Sequence, residues 1–305
     1  MPDFIHRNAA RCIIILIMLI FQFPHSSHAQ DVEARLYANA PKGMNFVAAS
    51  YKLSDGEIMI NNEIIEDLTG TISTVAAGYM HVFSLGGMTA KFDMLIPHIW
   101  MDASAKLAGE DTSRTWNGFG DPRLRFTLNF IGSPALAPAE FASFRQKTIL
   151  GASLQVIPPL GAYDPTRLMN IGSNRWTFRP EIGLSHAIRK FLIECYASLY
   201  IFADNTDFFG GSTLEQEHLG VFQVHVIYTF KPRLWVGVDG LYTTGGETAV
   251  DGEFRRDFQS NTRVGATIAF PMAQRHDLKF IYSSGVTTRI GGNFDNFTLA
   301  YLYHW

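Results

Sequence analysis

Cysteine is nearly absent from this sequence, which holds Cys12 and Cys195 in 305 residues. Cys12 lies in a segment that we expect to be removed, so Cys195 would be the only cysteine of the mature chain and no disulfide could form within it. A basic excess is also missing, because 25 Lys and Arg stand against 28 Asp and Glu. Without surplus cations to neutralise phosphates, the chain is not expected to bind nucleic acid.

Long apolar runs are confined to the N-terminus. Arg7 and Arg11 precede an apolar run from Cys12 to Phe21, and the small-residue site Ser27-His28-Ala29 follows. A basic region, an apolar run and an A-x-A-like cleavage site are typical of a secretory signal peptide, which we assign to residues 1–29. The alternative is an N-terminal membrane anchor, but the run is short of the roughly 20 residues that a helical span needs. No later stretch is long enough for a helical span, so the mature chain could enter a membrane only as strands.

From Met44 onward, polar and apolar residues alternate with a period of two. In residues 121–130 (DPRLRFTLNF), one face carries Asp, Arg, Arg, Thr and Asn, and the other carries Pro, Leu, Phe, Leu and Phe, since residues i and i+2 of a strand share a face. A soluble sandwich could alternate in the same way. Several segments run for about 10 residues, however, which suits tilted membrane strands better than the shorter strands of soluble sheets. We therefore predict an all-β fold for residues 30–305, a transmembrane antiparallel up-and-down β-barrel of about 12 strands.

The predicted strands and connections follow the alternation expected of an outer-membrane barrel. The strands are 44–53, 71–83, 88–100, 119–131, 148–158, 175–187, 191–202, 219–230, 234–243, 260–271, 277–284 and 294–305. Short connections, expected at the periplasmic side, are 84–87, 188–190, 231–233 and 272–276. Long connections, expected outside, are 54–70, 101–118, 160–174, 203–218 and 244–259. Residues 132–147 are long where a short turn is expected, and residues 139–144 in them could form a small interfacial helix.

The C-terminal strand is amphipathic and closes on an aromatic residue. Its apolar face consists of Phe297, Leu299, Tyr301, Tyr303 and Trp305. Amphipathic rings favour the bilayer boundary, and such a terminal strand is the pattern that the outer-membrane insertion machinery reads. The expected partners of the chain are therefore outer-membrane lipid and that machinery.

Several stretches spread over the mature chain resemble one known family. They are 37–46 (YANAPKGMNF), 118–123 (GFGDPR), 159–165 (PLGAYDP), 174–181 (NRWTFRPE), 259–261 (QSN) and 285–290 (GVTTRI). Their sequence is similar to that of the MetA-pathway phenol-degradation family, outer-membrane barrel proteins usually labelled transporters. The resemblance implies the barrel fold and a transport role, and it implies no particular site residue.

Strand alternation directs a set of polar side chains into the lumen. They are Lys91, Asp93, Arg123, Arg125, Arg179, Glu181, Gln223, His225, Asp239, Arg263 and Lys279. A charged side chain facing lipid costs about 2–4 kcal/mol at the midplane, so the interior is the favourable side. Two roles stay open for them: ion pairs that brace the wall, or a mainly cationic lining that guides an anionic solute such as an aromatic carboxylate.

Aromatic residues near the long connections are candidates for the first contact with a solute. They are Trp100, Trp116, Tyr163, Trp176 and Tyr242. The alternative is the aromatic girdle of the outer interface. Acidic and amide residues between 204 and 218 lack the spacing of a calcium loop, so we expect no metal and no cofactor. No G-x-S-x-G motif or metal-binding His pair occurs, and we expect no enzyme.

The sequence thus predicts an outer-membrane channel for passive uptake of small solutes, aromatic or hydrophobic in character. The rival interpretation is a barrel plugged by its own side chains, with a structural or surface-binding role and no transport. A third class is a soluble lipid-binding β-protein of the periplasm. Monomer and trimer are not distinguished by the sequence.

Overall fold

The computed structural model describes residues 32–60, 65–107 and 109–305. The predicted signal peptide lies outside these residues. The strands are β1 (Asn45–Met59), β2 (Ile65–Leu85), β3 (Met88–Leu107), β4 (Glu110–Phe119), β5 (Arg123–Pro134), β6 (Thr148–Ile157), β7 (Thr177–Ile188), β8 (Phe191–Phe202), β9 (Asn205–Phe208), β10 (Ser212–Gln216), β11 (Leu219–Lys231), β12 (Leu234–Gly245), β13 (Thr248–Val250), β14 (Glu253–Phe254), β15 (Gln259–Ala273), β16 (His276–Thr287) and β17 (Gly291–His304). The short helix α1 (Pro138–Phe141) lies between β5 and β6, and a 3-10 turn covers Phe209–Gly211. No helix among the described residues is long and apolar enough to cross a membrane.

Twelve of the described strands close into an antiparallel barrel, as predicted. Their order around the wall is β1, β2, β3, β5, β6, β7, β8, β11, β12, β15, β16 and β17, and β17 pairs with β1. At the closing seam, the Trp305 amide donates to the Asn45 carbonyl at 3.1 Å and the Asn45 amide donates to the Trp305 carbonyl at 3.0 Å. Closure gives each wall strand two hydrogen-bonded neighbours, which a strand surrounded by lipid requires because lipid offers no partner for a backbone amide.

The remaining strands lie on the long-connection side of the barrel. β4 continues the hairpin of β3 beyond the wall, and β9, β10, β13 and β14 form a separate four-stranded sheet. Two predicted loops, 54–70 and 101–118, are therefore wrong, because most of their residues belong to extended hairpins. Their backbone pairs in register as far as Glu57 opposite Thr69 and Leu107 opposite Glu110. The sequence did not predict these extended hairpins, because polar hairpins outside the bilayer need no continuous apolar face.

The predicted strand 119–131 is also corrected, since β4 ends at Phe119 and β5 begins at Arg123. Pro122 lies in the break and has no amide to donate to a ladder. The four short connections are confirmed between consecutive wall strands, and α1 lies in the long connection where a small helix was expected.

The wall has an apolar outer face and a polar inner face. On β3, Phe92, Ile96 and Trp100 are each about two-fifths exposed on the outside, whereas Lys91 is buried inside. The C-terminal aromatics share the outer face, with Phe297 55% and Trp305 48% exposed. Side chains alternate between the outer and inner face along each strand, and this alternation places the predicted luminal residues on the inner face. No loop contributes to their placement.

Candidate functional site

Residues 32–43 do not join the wall but lie inside the barrel. This luminal segment, residues 32–43, carries Tyr37, which has no exposed surface. The Tyr37 hydroxyl lies 3.1 Å from Glu181 Oε1 and 3.4 Å from Ser153 Oγ. This segment therefore fills part of the lumen of the barrel to which it is connected.

Tyr37 fits between two glycines of the wall. A Cβ atom added at Gly151 on β6 or at Gly183 on β7 would overlap the Tyr37 ring. The two glycines face each other across the β6–β7 ladder, so their missing side chains form one socket. Tyr196 completes the socket with an edge-on ring contact at 5.1 Å. The close approach requires glycine at both positions.

Glu33 of the luminal segment forms ion pairs with arginines on two different strands. Its Oε2 atom accepts from Arg125 Nη1 at 3.0 Å and from Arg179 Nη1 at 3.4 Å. Arg125 also pairs with Asp93 at 3.1 Å, and Arg179 pairs with Glu181 at 2.7 Å. Two arginines and three carboxylates therefore form one network, in which charge-assisted bonds from both arginines to one oxygen of Glu33 hold the segment against the wall.

Backbone groups of the luminal segment are bound as well. Lys91 Nζ donates to the carbonyls of Leu36 at 2.8 Å and Ala38 at 2.6 Å. The carboxylate of Glu194, which is fully buried, accepts from the Arg35 amide at 2.6 Å. These contacts provide hydrogen-bond partners for two carbonyls and one amide of a segment that has no ladder of its own.

The structure places all eleven predicted luminal residues on the inner face, and most are engaged. Asp239 accepts from His225 at 2.6 Å and from Thr267 at 3.0 Å. Arg263 donates to the Phe294 carbonyl at 2.6 Å, and Gln223 accepts from the Glu33 amide at 3.2 Å. Arg123, Arg125 and Lys279 border the cavity described below. The geometry is thus that of bracing for most of the set.

The five aromatic candidates lie elsewhere. Trp100, Trp176 and Tyr242 are between 40% and 48% exposed on the outside of the barrel, where a girdle ring would lie. Trp116 is buried against Met169 and its neighbours in a small core on the long-connection side. The Tyr163 hydroxyl donates to the Asp207 carbonyl at 3.0 Å. None of the five lines the cavity, and their contact with a solute stays a prediction.

An elongated cavity of about 520 Å³ separates the luminal segment from the opposite wall. Its boundary on β1 runs from Ala48 to Ile58, which is about 33 Å of strand at roughly 3.3 Å per residue. The cavity therefore extends along most of a membrane-spanning strand beside the segment. Its volume lies within the range of about 300–1,000 Å³ found for small-molecule sites.

Small side chains create this cavity. In one row across the wall, Lys279 on β16 lies opposite Ala300, Ala300 opposite Ser50, Ser50 opposite Ala76, and Ala76 opposite Pro97. Alanine and serine on three adjacent strands leave room that larger residues would fill. We call the face formed by Ser50, Ala76 and Ala300 the small-residue wall. The sequence showed no signal for it, because alanine and serine fit either face of a strand.

The loop between β6 and β7 covers the cavity at the long-connection end. Met169 and Ile171 line the cavity from above. Asp121 ties this loop to the barrel rim, since its carboxylate accepts from the Gly161 amide, the Ser173 amide and the Ser173 hydroxyl, each at 2.7 Å. Three bonds to one carboxylate make the loop a structured cover. No cluster of metal-ligating side chains occurs among the described residues.

A closed twelve-stranded wall, an apolar outer face and a polar interior holding an N-terminal segment define a β-barrel of the bacterial outer-membrane type. The family described as "Putative MetA-pathway of phenol degradation" matches residues 60–299. The chain belongs to this family.

Solved structures agree with the fold. A COG4313 outer membrane channel from Pseudomonas putida F1 is 21% identical, with a TM-score of 0.77 over 90% of this chain and 100% of that one. The β domain of the Bordetella autotransporter BrkA is 11% identical, with a TM-score of 0.52 over 86% of this chain and 99% of that one. The transport unit of the autotransporter AIDA-I from Escherichia coli is 8% identical, with a TM-score of 0.52 over 92% and 94%. No curated protein sequence matches the chain significantly.

Proposed function

We propose that this protein is an outer-membrane channel for the passive uptake of small hydrophobic or aromatic solutes, exported by the signal peptide at residues 1–29. The observation that carries the proposal is the cavity, which extends along the lumen beside the luminal segment and is bounded by the small-residue wall. The family's association with phenol degradation supports an aromatic solute. The channel named among the similar structures supports the same role.

The chain offers a matched pair of variants for the test. Ala76 faces the cavity, and the next residue, Ala77, is exposed on the outer face. Ala76→Phe adds a ring to the cavity, whereas Ala77→Phe adds the same ring to the lipid side. We expect discrete conductance steps from the refolded wild type in a planar bilayer, and we expect phenol to block them. Ala77→Phe should behave as wild type, and Ala76→Phe should reduce the step size.

A second candidate is favoured by the luminal segment itself. Because residues 32–43 occupy the lumen against the β3–β12 side, the barrel could be closed and could serve a structural or surface-binding role. In that case wild type, shown to be folded by heat-modifiable gel migration, gives no steps. Equal steps in wild type and Ala76→Phe would instead show that ions bypass the cavity, and the proposed path would be wrong.

A further inference from the structure

Cationic side chains outnumber carboxylates in the lining of the cavity. Four cationic side chains and one carboxylate line it, and they are Lys52, Arg123, Arg125, Lys279 and Glu33. Glu33 already accepts from two arginines. The lining of the cavity therefore combines the small-residue wall with cationic side chains, and a neutral hydrocarbon would make no use of those cations.

Lys279 stands apart from the other interior cations. Its Nζ lies 5.7 Å from the centre of the Trp235 ring, and it forms no ion pair or hydrogen bond with the described residues. By contrast, Lys91 is bound by two carbonyls and Arg179 by two carboxylates. Lys279 is also at one end of the row that contains the small-residue wall.

The carboxylates whose charge acts on Lys279 are Asp239, Glu33 and Glu194, and all three already accept hydrogen bonds from other groups. Asp239 on β12 accepts from His225 and Thr267. Glu33 accepts from Arg125 and Arg179, and Glu194 accepts from the Arg35 amide. The ammonium thus borders an apolar cavity without a paired counter-ion, an arrangement that an incoming anion would stabilise because a charge away from water gains most from a directly bonded partner.

We propose that the cavity binds an organic monoanion, with its carboxylate on Lys279 and its apolar body against the small-residue wall. This inference rests on the proposed function, since it takes the cavity as the solute path. It narrows the solute class from hydrophobic compounds in general to amphipathic acids with one negative charge. Lys279 supplies the charge recognition, and Ser50, Ala76 and Ala300 supply the space.

Binding is measured by isothermal titration of the folded, detergent-solubilised full chain with benzoate, benzyl alcohol and benzylamine, which differ chiefly in charge. We expect benzoate to bind about tenfold or more tighter than benzyl alcohol, and benzylamine to bind weakest. Lys279→Met should lower benzoate affinity by about tenfold or more and leave benzyl alcohol affinity unchanged. Lys279→Arg should retain the preference for benzoate. The matched control Lys231→Met removes an exposed lysine and should change neither affinity.

The outcomes separate this inference from the channel proposal. Equal affinities for benzoate and benzyl alcohol, or a Lys279→Met variant that keeps the preference for benzoate, would overturn the monoanion inference and leave the channel intact. Benzoate binding that depends on Lys279, together with a wild type that gives no conductance steps, would support the inference while contradicting transport. Loss of all binding in Ala76→Phe, with wild-type binding in Ala77→Phe, would place the ligand in the cavity and support the inference.

Discussion

Replacing Tyr37 by alanine should loosen the luminal segment without unfolding the barrel. Tyr37 is fully buried, lies in the socket of Gly151 and Gly183, and hydrogen-bonds Glu181. Truncating a buried aromatic side chain costs about 3–5 kcal/mol. The ring belongs to the luminal segment, and the wall is held by its own closed ladder of hydrogen bonds. The lost free energy should therefore weaken docking of the segment rather than the wall.

A loss of that size shifts the ratio of docked to undocked segment by roughly 10²- to 10⁴-fold, since about 1.4 kcal/mol corresponds to a factor of ten. Lys91 and Glu33 still hold the segment, so we expect transient release. Release should appear as larger or noisier conductance steps in a planar bilayer and as faster tryptic cleavage after Arg35. Tyr37→Phe keeps the ring in the socket and should change both readouts far less.

A double-mutant cycle tests the socket itself. Gly183→Ala should release the segment because the added Cβ overlaps the Tyr37 ring. Once Tyr37 is alanine, the same change should add little, so the two effects should be strongly non-additive. Additive effects would refute the socket. A folded Tyr37→Ala protein with wild-type conductance and wild-type cleavage would refute the role of Tyr37 as an anchor.

Three further outcomes are expected. Asp121→Ala removes three hydrogen bonds from the loop at residues 160–174. The variant's loop should become sensitive to proteases, while the barrel should keep its heat-modifiable gel migration. A loop that stays resistant to proteases would contradict the role of Asp121 in holding it to the barrel rim. Cys195 is exposed on the outer face. In proteoliposomes, a membrane-soluble maleimide should therefore label it, and a charged, impermeant maleimide should not. The reverse labelling pattern would contradict the strand register of β8. The hydroxyl and amide of Thr166 hold the pKa of Asp164 below its usual value of 3.8. This turn is therefore stabilised at neutral pH and loses that contribution as the pH falls through the lowered pKa. An amide signal of Thr166 that does not shift on acidification would contradict the hydrogen bond.

Period-two alternation was sufficient to predict the barrel wall because the bilayer forces every strand to have one apolar face. The inward direction of Arg125, Glu181 and Asp239 followed from the same rule. The hairpin extensions were not predictable in this way, since the polar ends of β2 and β3 lie beyond the lipid and their pairing depends on backbone hydrogen bonds.

The sequence by itself determined the class of fold, the closed wall and the inward direction of the charged strand residues, because these follow from local periodicity. Only the tertiary structure showed that residues 32–43 turn back into the lumen, that Tyr37 fits the gap left by two glycines, and that Ser50, Ala76 and Ala300 border one cavity. These features depend on contacts between residues more than 100 positions apart or on different strands. No local pattern encodes such contacts, because the same alanine, glycine or tyrosine could have faced either side until the barrel closed.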